Sequence, residues 1–215
     1  MVTHPVQPTT CLAVREAAIA TGVTHRDINR LIDENVLAAN HVAKAGRKRT
    51  VAALALPLIT FGASEGPKLS KATRLNAMAL IERFAKANWQ RLQAQPDYGK
   101  ALHFTSGALR ISLGFSLQTA MEGLGQLASI GRRIEQNPKI RGGAPVLKGT
   151  RITAYEVADS LMLDGFAITL EDFPALCEAD LEAALLFNKA YPRSGRPKTR
   201  PQTTQGLLET VHVPR

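Results

Sequence analysis

Cysteine is scarce in this chain, which carries only Cys11 and Cys177. The two stand far apart, with neither a C-x-x-C pair nor Cys/His ligand spacing. A disulfide framework and a zinc site are therefore excluded as organising devices, and a reducing cytoplasm is the expected compartment. Long apolar runs are also missing: no stretch approaches the roughly 18 continuous apolar residues of a membrane span. The opening MVTHPVQPTT has neither a cationic start nor an apolar core, so a soluble, intracellular protein is expected. No repeat with a solenoid period occurs. There is no nucleophile-elbow glycine pattern and no phosphate-cradling P-loop.

What is present suits a folded protein that meets a polyanion. The chain has 215 residues, of which 45% are hydrophobic, enough for one or two domains with real cores. Lysine and arginine number 27 against 18 acidic residues, a formal net charge of +9. Such an excess attracts nucleic acid or an acidic protein face without naming either.

The stretch VREAAIATGVTHRDINRLIDENVL, residues 14 to 37, has the make-up of a helix-turn-helix. Ala18 is small enough for a second helix to cross closely. Gly22 can adopt the positive φ of a tight turn, and Val23, Ile28 and Leu31 can lock the pair together. With Ile28 and Leu31 inward, the second helix exposes Thr24, His25, Arg26, Asn29 and Arg30, side chains able to donate to phosphates or to base edges in the major groove. A basic turn follows in AANHVAKAGRKRTVAALALPLITF, which reads as a β-hairpin wing with Arg47, Lys48 and Arg49 at its tip. The alanine-rich run after it reads equally well as strand or helix. The competing interpretation is an ordinary helical hairpin with a solvated basic face.

Farther along, Ser70 can cap a helix whose apolar positions Leu75, Met78, Ile81 and Phe84 form a core stripe. The segment ALRISLGF alternates strictly, placing Leu109, Ile111, Leu113 and Phe115 on one face of a strand. Nothing of comparable quality flanks it, so its partner is expected across a dimer or near residues 51 to 61. A helix after Ser116 contains three glycines, each costing about 1 kcal/mol relative to alanine, which close helix packing would explain.

In the last third, GGAPVLKGTRIT reads as two short extended pieces around Lys148-Gly149. Thr153 and Glu156 make a T-x-x-E capping box for a helix that ends near Asp164-Gly165. Thr169 and Asp172 suggest a one-turn helix broken at Pro174, and EADLEAALLFNKAY a third helix stopping before Pro192. Residues 192 to 215 are rich in proline and basic residues and are expected to be unstructured alone.

The run Gly142, Gly143, Pro145, Val146, Gly149, Thr150, Arg151 and Ile152, followed by Asp172, Phe173, Pro174, Asp180 and Ala184, resembles domain-of-unknown-function family 433 over about residues 133 to 191. That family is a group of bacterial VapB-type antitoxin-like proteins. The resemblance implies a tri-helical, homeodomain-like fold, and the opening stretch is similar to MerR-type winged helices. It further implies an antitoxin that represses its own promoter and neutralises a PIN-domain ribonuclease. After the wing the chain departs from MerR-type proteins, lacking a long coiled-coil helix and an effector domain.

PIN-type nucleases resemble other metal-dependent phosphodiesterases in gathering carboxylates around a divalent cation, so an arginine inserted there can pair with the acids and displace or misplace the metal. The candidate toxin-binding residues are therefore Arg193, Arg196, Lys198 and Arg200, with Leu207 and Leu208 adding an apolar contact. A solubilising tail is the bland alternative. Catalysis is not expected. His103 near Ser106 and Cys177 beside Glu178 lack a third orienting group, and of the acids Asp159, Asp164, Glu171, Asp172 and Asp180, which could suggest a nuclease metal site, two are best used as caps or near helix starts.

The sequence thus predicts a mainly α protein with small β elements. Its expected parts are a loose tail (1–11), a winged helix-turn-helix (12–62), a helical and strand dimerisation region (63–137), a tri-helical module with a short hairpin (138–191) and a basic tail (192–215). Operator DNA, a PIN-domain toxin and a second copy of the chain are the expected partners, with no cofactor and no metal. A stand-alone transcriptional regulator with a C-terminal ligand- or protein-sensing module is the alternative.

Overall fold

The computed structural model describes residues 6–45 and 48–193. Among the described residues the protein is mainly helical, with three small antiparallel sheets. The first sheet holds strands β1 (Cys11–Ala13), β2 (Val42–Ala45) and β3 (Lys48–Ala52) in the order β1-β3-β2. Between β1 and β2 lie helices α1 (Val14–Thr21) and α2 (His25–Asp33), so a helix pair is followed by a hairpin in the order expected of a helix-turn-helix and its wing.

Residues 6–11, expected to be loose, are instead tied down. Val6 is buried, and its carbonyl accepts hydrogen bonds from the Trp89 indole at 2.6 Å and from Gln93. A buried indole N–H needs an acceptor, and the backbone of this proline-containing segment supplies it. Residues 1–5 lie outside the described residues.

The ambiguous apolar run after the wing divides. Its first residues complete β3, Ala53–Ala55 make a 3-10 turn, and the remainder forms α3 (Leu56–Ser64), with Pro57 in the first turn where its missing N–H costs nothing. Leu56, Ile59 and Phe61 are fully buried, as befits a helix that is apolar all round.

Helix α4 (Lys71–Ala87) begins at Ser70, whose hydroxyl accepts the Thr73 N–H. Met78 and Ile81 are buried, but Leu75 is exposed, so the expected stripe is narrower. Helix α5 (Trp89–Ala94) follows, then the hairpin of β4 (His103–Ser106) and β5 (Leu109–Ser112). The strand expected to seek a remote or intermolecular partner thus pairs with its immediate neighbour across Gly107, whose φ of +60° closes the turn. Ile111 and Leu113 are buried, whereas Leu109 and Phe115 are exposed. The alternation ends because Gly114 already begins helix α6 (Gly114–Arg133), ahead of the expected start at Ser116.

Helix α6 is the axis of the molecule and packs against α1, α3, α5 and the C-terminal α8 (Glu178–Ala190). A Cβ at Gly123 would stand 2.0 Å from the carbonyl oxygen of Ala20. The expected close helix packing is therefore real, and it joins α1 to α6 at Ala20.

The family-433-like region starts with β6 (Ile134–Gln136) paired to β7 (Pro145–Leu147). Helix α7 (Ala154–Asp172) opens on the expected capping box, in which Thr153 accepts the Glu156 N–H at 3.1 Å and Glu156 accepts the Thr153 N–H at 2.9 Å. Gly165, at φ 79° and ψ 177°, breaks it where the first helix was expected to end. Thr169 does not start a helix. It is fully buried, and its hydroxyl donates to the Gly165 carbonyl at 2.8 Å.

One apolar core runs from Val6 to Phe187 and is continuous across the boundaries expected at 62/63 and 137/138. Among the described residues, no helix is long and apolar enough to cross a membrane.

Candidate nucleic-acid interface

Gly22 caps α1 in the left-handed conformation, φ +68°, and lets the chain reverse into α2 within three residues. Thr24 then caps α2, accepting the Asp27 N–H at 3.1 Å while donating its hydroxyl to the Asp27 carboxylate at 2.7 Å. Ile28 and Leu31 are buried as the motif requires. The opposite side of α2 is open to solvent: Thr24, His25, Arg26 and Arg30 are exposed and Asn29 is half-buried.

The structure joins this helix to the wing. Arg49, on β3, reaches the Asp33 carboxylate at 2.7 Å and the Asn29 side-chain oxygen at 3.4 Å. The Asn29 amide nitrogen donates to the His25 carbonyl at 2.9 Å. Asn29 is thus held at both ends. Arg49 spends its charge within the protein, leaving Lys48 and Lys44 as the outward cations of the described hairpin. Arg47 lies outside the described residues.

Helix α2 itself is electrically balanced, since Arg26 and Arg30 stand against Asp27 and Asp33. Arg30 lies 3.5 Å from Asp27 and 3.9 Å from Glu34, while remaining 59% exposed. In such a solvated pair the acids orient the guanidinium more than they hold it. The hairpin concentrates like charge, because Lys44 sits directly opposite Arg49, an arrangement that disfavours pairing unless one cation is drawn elsewhere. Asp33 does this for Arg49.

Sequence reasoning missed two cations. An open groove beside the N-terminus of α2 is lined by Arg15, Ala18, His25, Gln126 and Lys189. It brings Arg15 of α1 and Lys189 of α8 to the side of His25. Their distance along the chain hid the grouping. For Arg49 a signal did exist: Asp33 and Glu34 oppose the negative end of a helix and so need a cation from elsewhere. Ala18, read as the residue at which the second helix crosses the first, lines this groove, while Ala20 marks the close approach of α1 to α6.

Of the expected toxin-binding residues, Arg193 is engaged with its own chain. It lies 3.0 Å from the Asp159 carboxylate and 4.7 Å above the ring of Tyr155. Arg196, Lys198, Arg200, Leu207 and Leu208 lie outside the described residues.

The enzyme-like pairs do not assemble. His103 and Ser106 occupy opposite ends of β4, and the His103 Nδ1 bonds the Ala101 carbonyl. Cys177 instead shares the cap of α8 with Asp180, which accepts the Cys177 N–H at 3.0 Å and an Arg133 N–H at 2.7 Å. Burial alone pushes the Asp180 carboxyl up, but these donors outweigh it and hold the group below its ordinary value. Glu156 is treated alike: burial raises it, while the Thr153 N–H and hydroxyl and the Arg141 guanidinium bring it lower overall.

The family model described as Protein of unknown function (DUF433) matches residues 134–187, from the start of β6 through most of α8. The chain is also 34% identical over 191 residues to the Uncharacterized protein y4eO of Sinorhizobium fredii (strain NBRC 101917 / NGR234), an alignment covering 86% of this chain and 83% of that relative. No solved structure matches the chain. Because the alignment is far longer than the DUF433 region, the kinship extends well beyond the C-terminal helices, and the chain belongs to the family of the y4eO protein.

Proposed function

We propose that this protein is the antitoxin of a bacterial type II toxin–antitoxin pair. In this reading it binds operator DNA as a homodimer through α2 and the hairpin, represses its own operon, and neutralises a PIN-domain ribonuclease through the basic segment after Pro192. The observation that carries the DNA-binding part is the juxtaposition of Arg26 and Arg30 on the open side of α2 with a cationic hairpin fastened to that helix by Arg49. A fixed angle between recognition helix and wing lets one side read base edges while the other meets phosphates. Lys44 opposite Arg49 supports the same reading, since it concentrates charge at a cost in hairpin stability. The toxin-facing part rests on the family resemblance and on the cations of the tail.

A gel-shift series on the chain's own upstream DNA, with and without the product of the neighbouring reading frame, tests both parts. Sequence-selective binding that tightens or changes stoichiometry with the neighbour is expected. Binding that ignores both sequence and neighbour would remove the assignment.

A second reading, a stand-alone transcriptional regulator with a ligand site, is favoured by one observation. A cavity of about 300 Å³ beneath the hairpin is lined by Cys11, His41, Glu82 and Lys86. Its buried His41 places Nε2 3.2 Å from the Glu82 carboxylate at an angle that makes no hydrogen bond. DNA binding that responds to small molecules from a cell extract, with no effect of the neighbouring product, would favour that reading.

A further inference from the structure

The tip that α7 turns at its internal Gly165 break is both apolar and acidic. Met162, Leu163, Phe166 and Ile168 are 61%, 65%, 43% and 50% exposed, and they cluster around the Gly165 break with Asp164 among them. Large apolar side chains crowded together at the surface of a soluble domain mark a contact face. The helix carries five acids, Glu156, Asp159, Asp164, Glu171 and Asp172, and no lysine or arginine. Among the described residues, Asp164, Glu171 and Asp172 have no ion-pair partner, whereas Glu156 pairs with Arg141 and Asp159 with Arg193.

We propose that residues 194–215 of this chain dock across this tip of α7. The first anchor is already in place, because Arg193 lies on the Tyr155 ring and against Asp159, one helical turn from Met162 and Leu163. The segment that continues from it carries Arg196, Lys198, Arg200 and Arg215 against one acid, Glu209, and its apolar residues gather in LLETVHV, residues 207–213. Cations and apolar groups thus arrive together at a face offering carboxylates and apolar groups. The fourteen residues from Arg193 to Leu207 reach about 45 Å when extended, far more than the span of the tip. Tethering makes the encounter intramolecular, so modest contacts suffice. A second copy of the chain fits less well, because two such tips meeting about a two-fold axis would oppose their carboxylates. This docking stands apart from the toxin reading, and its test uses no toxin.

Amide hydrogen exchange decides it, comparing the full chain with a chain ending at Arg193. All the core residues of the described structure lie between Val6 and Ala190, so the shortened chain keeps its core. Exchange across residues 160–170 is expected to be at least about fivefold slower in the full chain, independent of protein concentration. A synthetic peptide of residues 194–215 should restore that protection to the shortened chain, less effectively as salt rises from about 0.05 to 0.5 M. In the full chain, Leu163→Ser together with Asp164→Asn should abolish it while leaving the melting transition cooperative. Equal exchange in the full and shortened chains overturns the proposal. Protection that persists in the shortened chain and grows with its concentration also overturns it, because a second copy then covers the tip.

Discussion

Tyr191 donates its phenolic hydrogen to the Glu16 carboxylate, tying the end of α8 to the first turn of α1. Glu16 is already the acidic partner in the capping of that turn, accepting the Ala13 N–H at 2.6 Å. The Tyr191 carbonyl accepts a hydrogen bond from Tyr155 at 2.7 Å. One carboxylate and one tyrosine therefore fasten the DUF433 region to the helix pair that carries the proposed DNA surface.

Tyr191→Phe removes the donor and leaves the ring in its contact with Phe187. A hydrogen bond to a charged acceptor makes the expected loss about 1–2 kcal/mol. It should read as a lower urea midpoint with unchanged slope. The same variant should change the alkaline limb. Burial, then the Glu16 hydrogen bond and charge, raise the Tyr191 phenol above its ordinary 10.0. A raised folded value means stability fully present below pH 10 and lost as the pH climbs through the folded value. The wild-type chain should lose stability above pH 10 more steeply than Tyr191→Phe.

The acid limb is governed by carboxylates held low. Asp180 and Glu156 lie below the ordinary 3.8 and 4.5. Their contribution is complete above about pH 5 and is lost as the pH falls through the folded values. Asp180→Ala deletes the α8 cap and the Arg133 pair together, and thermal melts at pH 7 should show a loss of about 2 kcal/mol. Its melting temperature should also fall less than that of wild type between pH 5 and pH 3.

Two glycines in α6 should respond in opposite directions to the same substitution. At Gly123 an added methyl would meet the Ala20 backbone at 2.0 to 2.5 Å, while at Gly125 it would meet nothing within 4 Å. Gly123→Ala should therefore destabilise by about 2–3 kcal/mol by prying α1 from α6. Gly125→Ala should stabilise by about 0.5–1 kcal/mol through helix propensity alone. Urea titrations of the two variants check both signs.

The contrast between these glycines shows what the sequence could and could not reveal. The Thr153–Glu156 capping box, the Ser70 cap, the Gly22 turn and the Gly165 break were legible because each is decided within a few residues. So were the inward Ile28 and Leu31, because helical spacing alone assigns them. The β4 partner of β5 was not legible, since HFTS lacks the alternation that marked LRIS, and a four-residue strand is specified by its neighbour more than by itself. The ties of Arg49 to Asp33 and of Tyr191 to Glu16 join residues remote in sequence and become visible only when the chain is folded. The same holds for the cationic groove of Arg15, His25 and Lys189.

That groove and the wing tie sharpen what DNA-binding variants should do. Lys48 projects from the hairpin without an ion-pair partner among the described residues, so it is expected to meet a phosphate. Lys48→Ala should weaken binding evenly across sequences and lower the salt slope by about one unit. Arg30 stands on the open side of α2, oriented by Asp27 and Glu34. Arg30→Ala should cost about 1–3 kcal/mol on the operator and little on unrelated DNA. Arg49→Ala should act differently from both, because its guanidinium fixes the angle between wing and helix. It is expected to erode discrimination and affinity together, and to release Asp33, a carboxylate that then repels the phosphates. Fluorescence anisotropy on operator and scrambled duplexes over a range of salt separates the three patterns. Identical losses for all three on both duplexes would mean that α2 reads no bases and that the basic surface acts only through its charge.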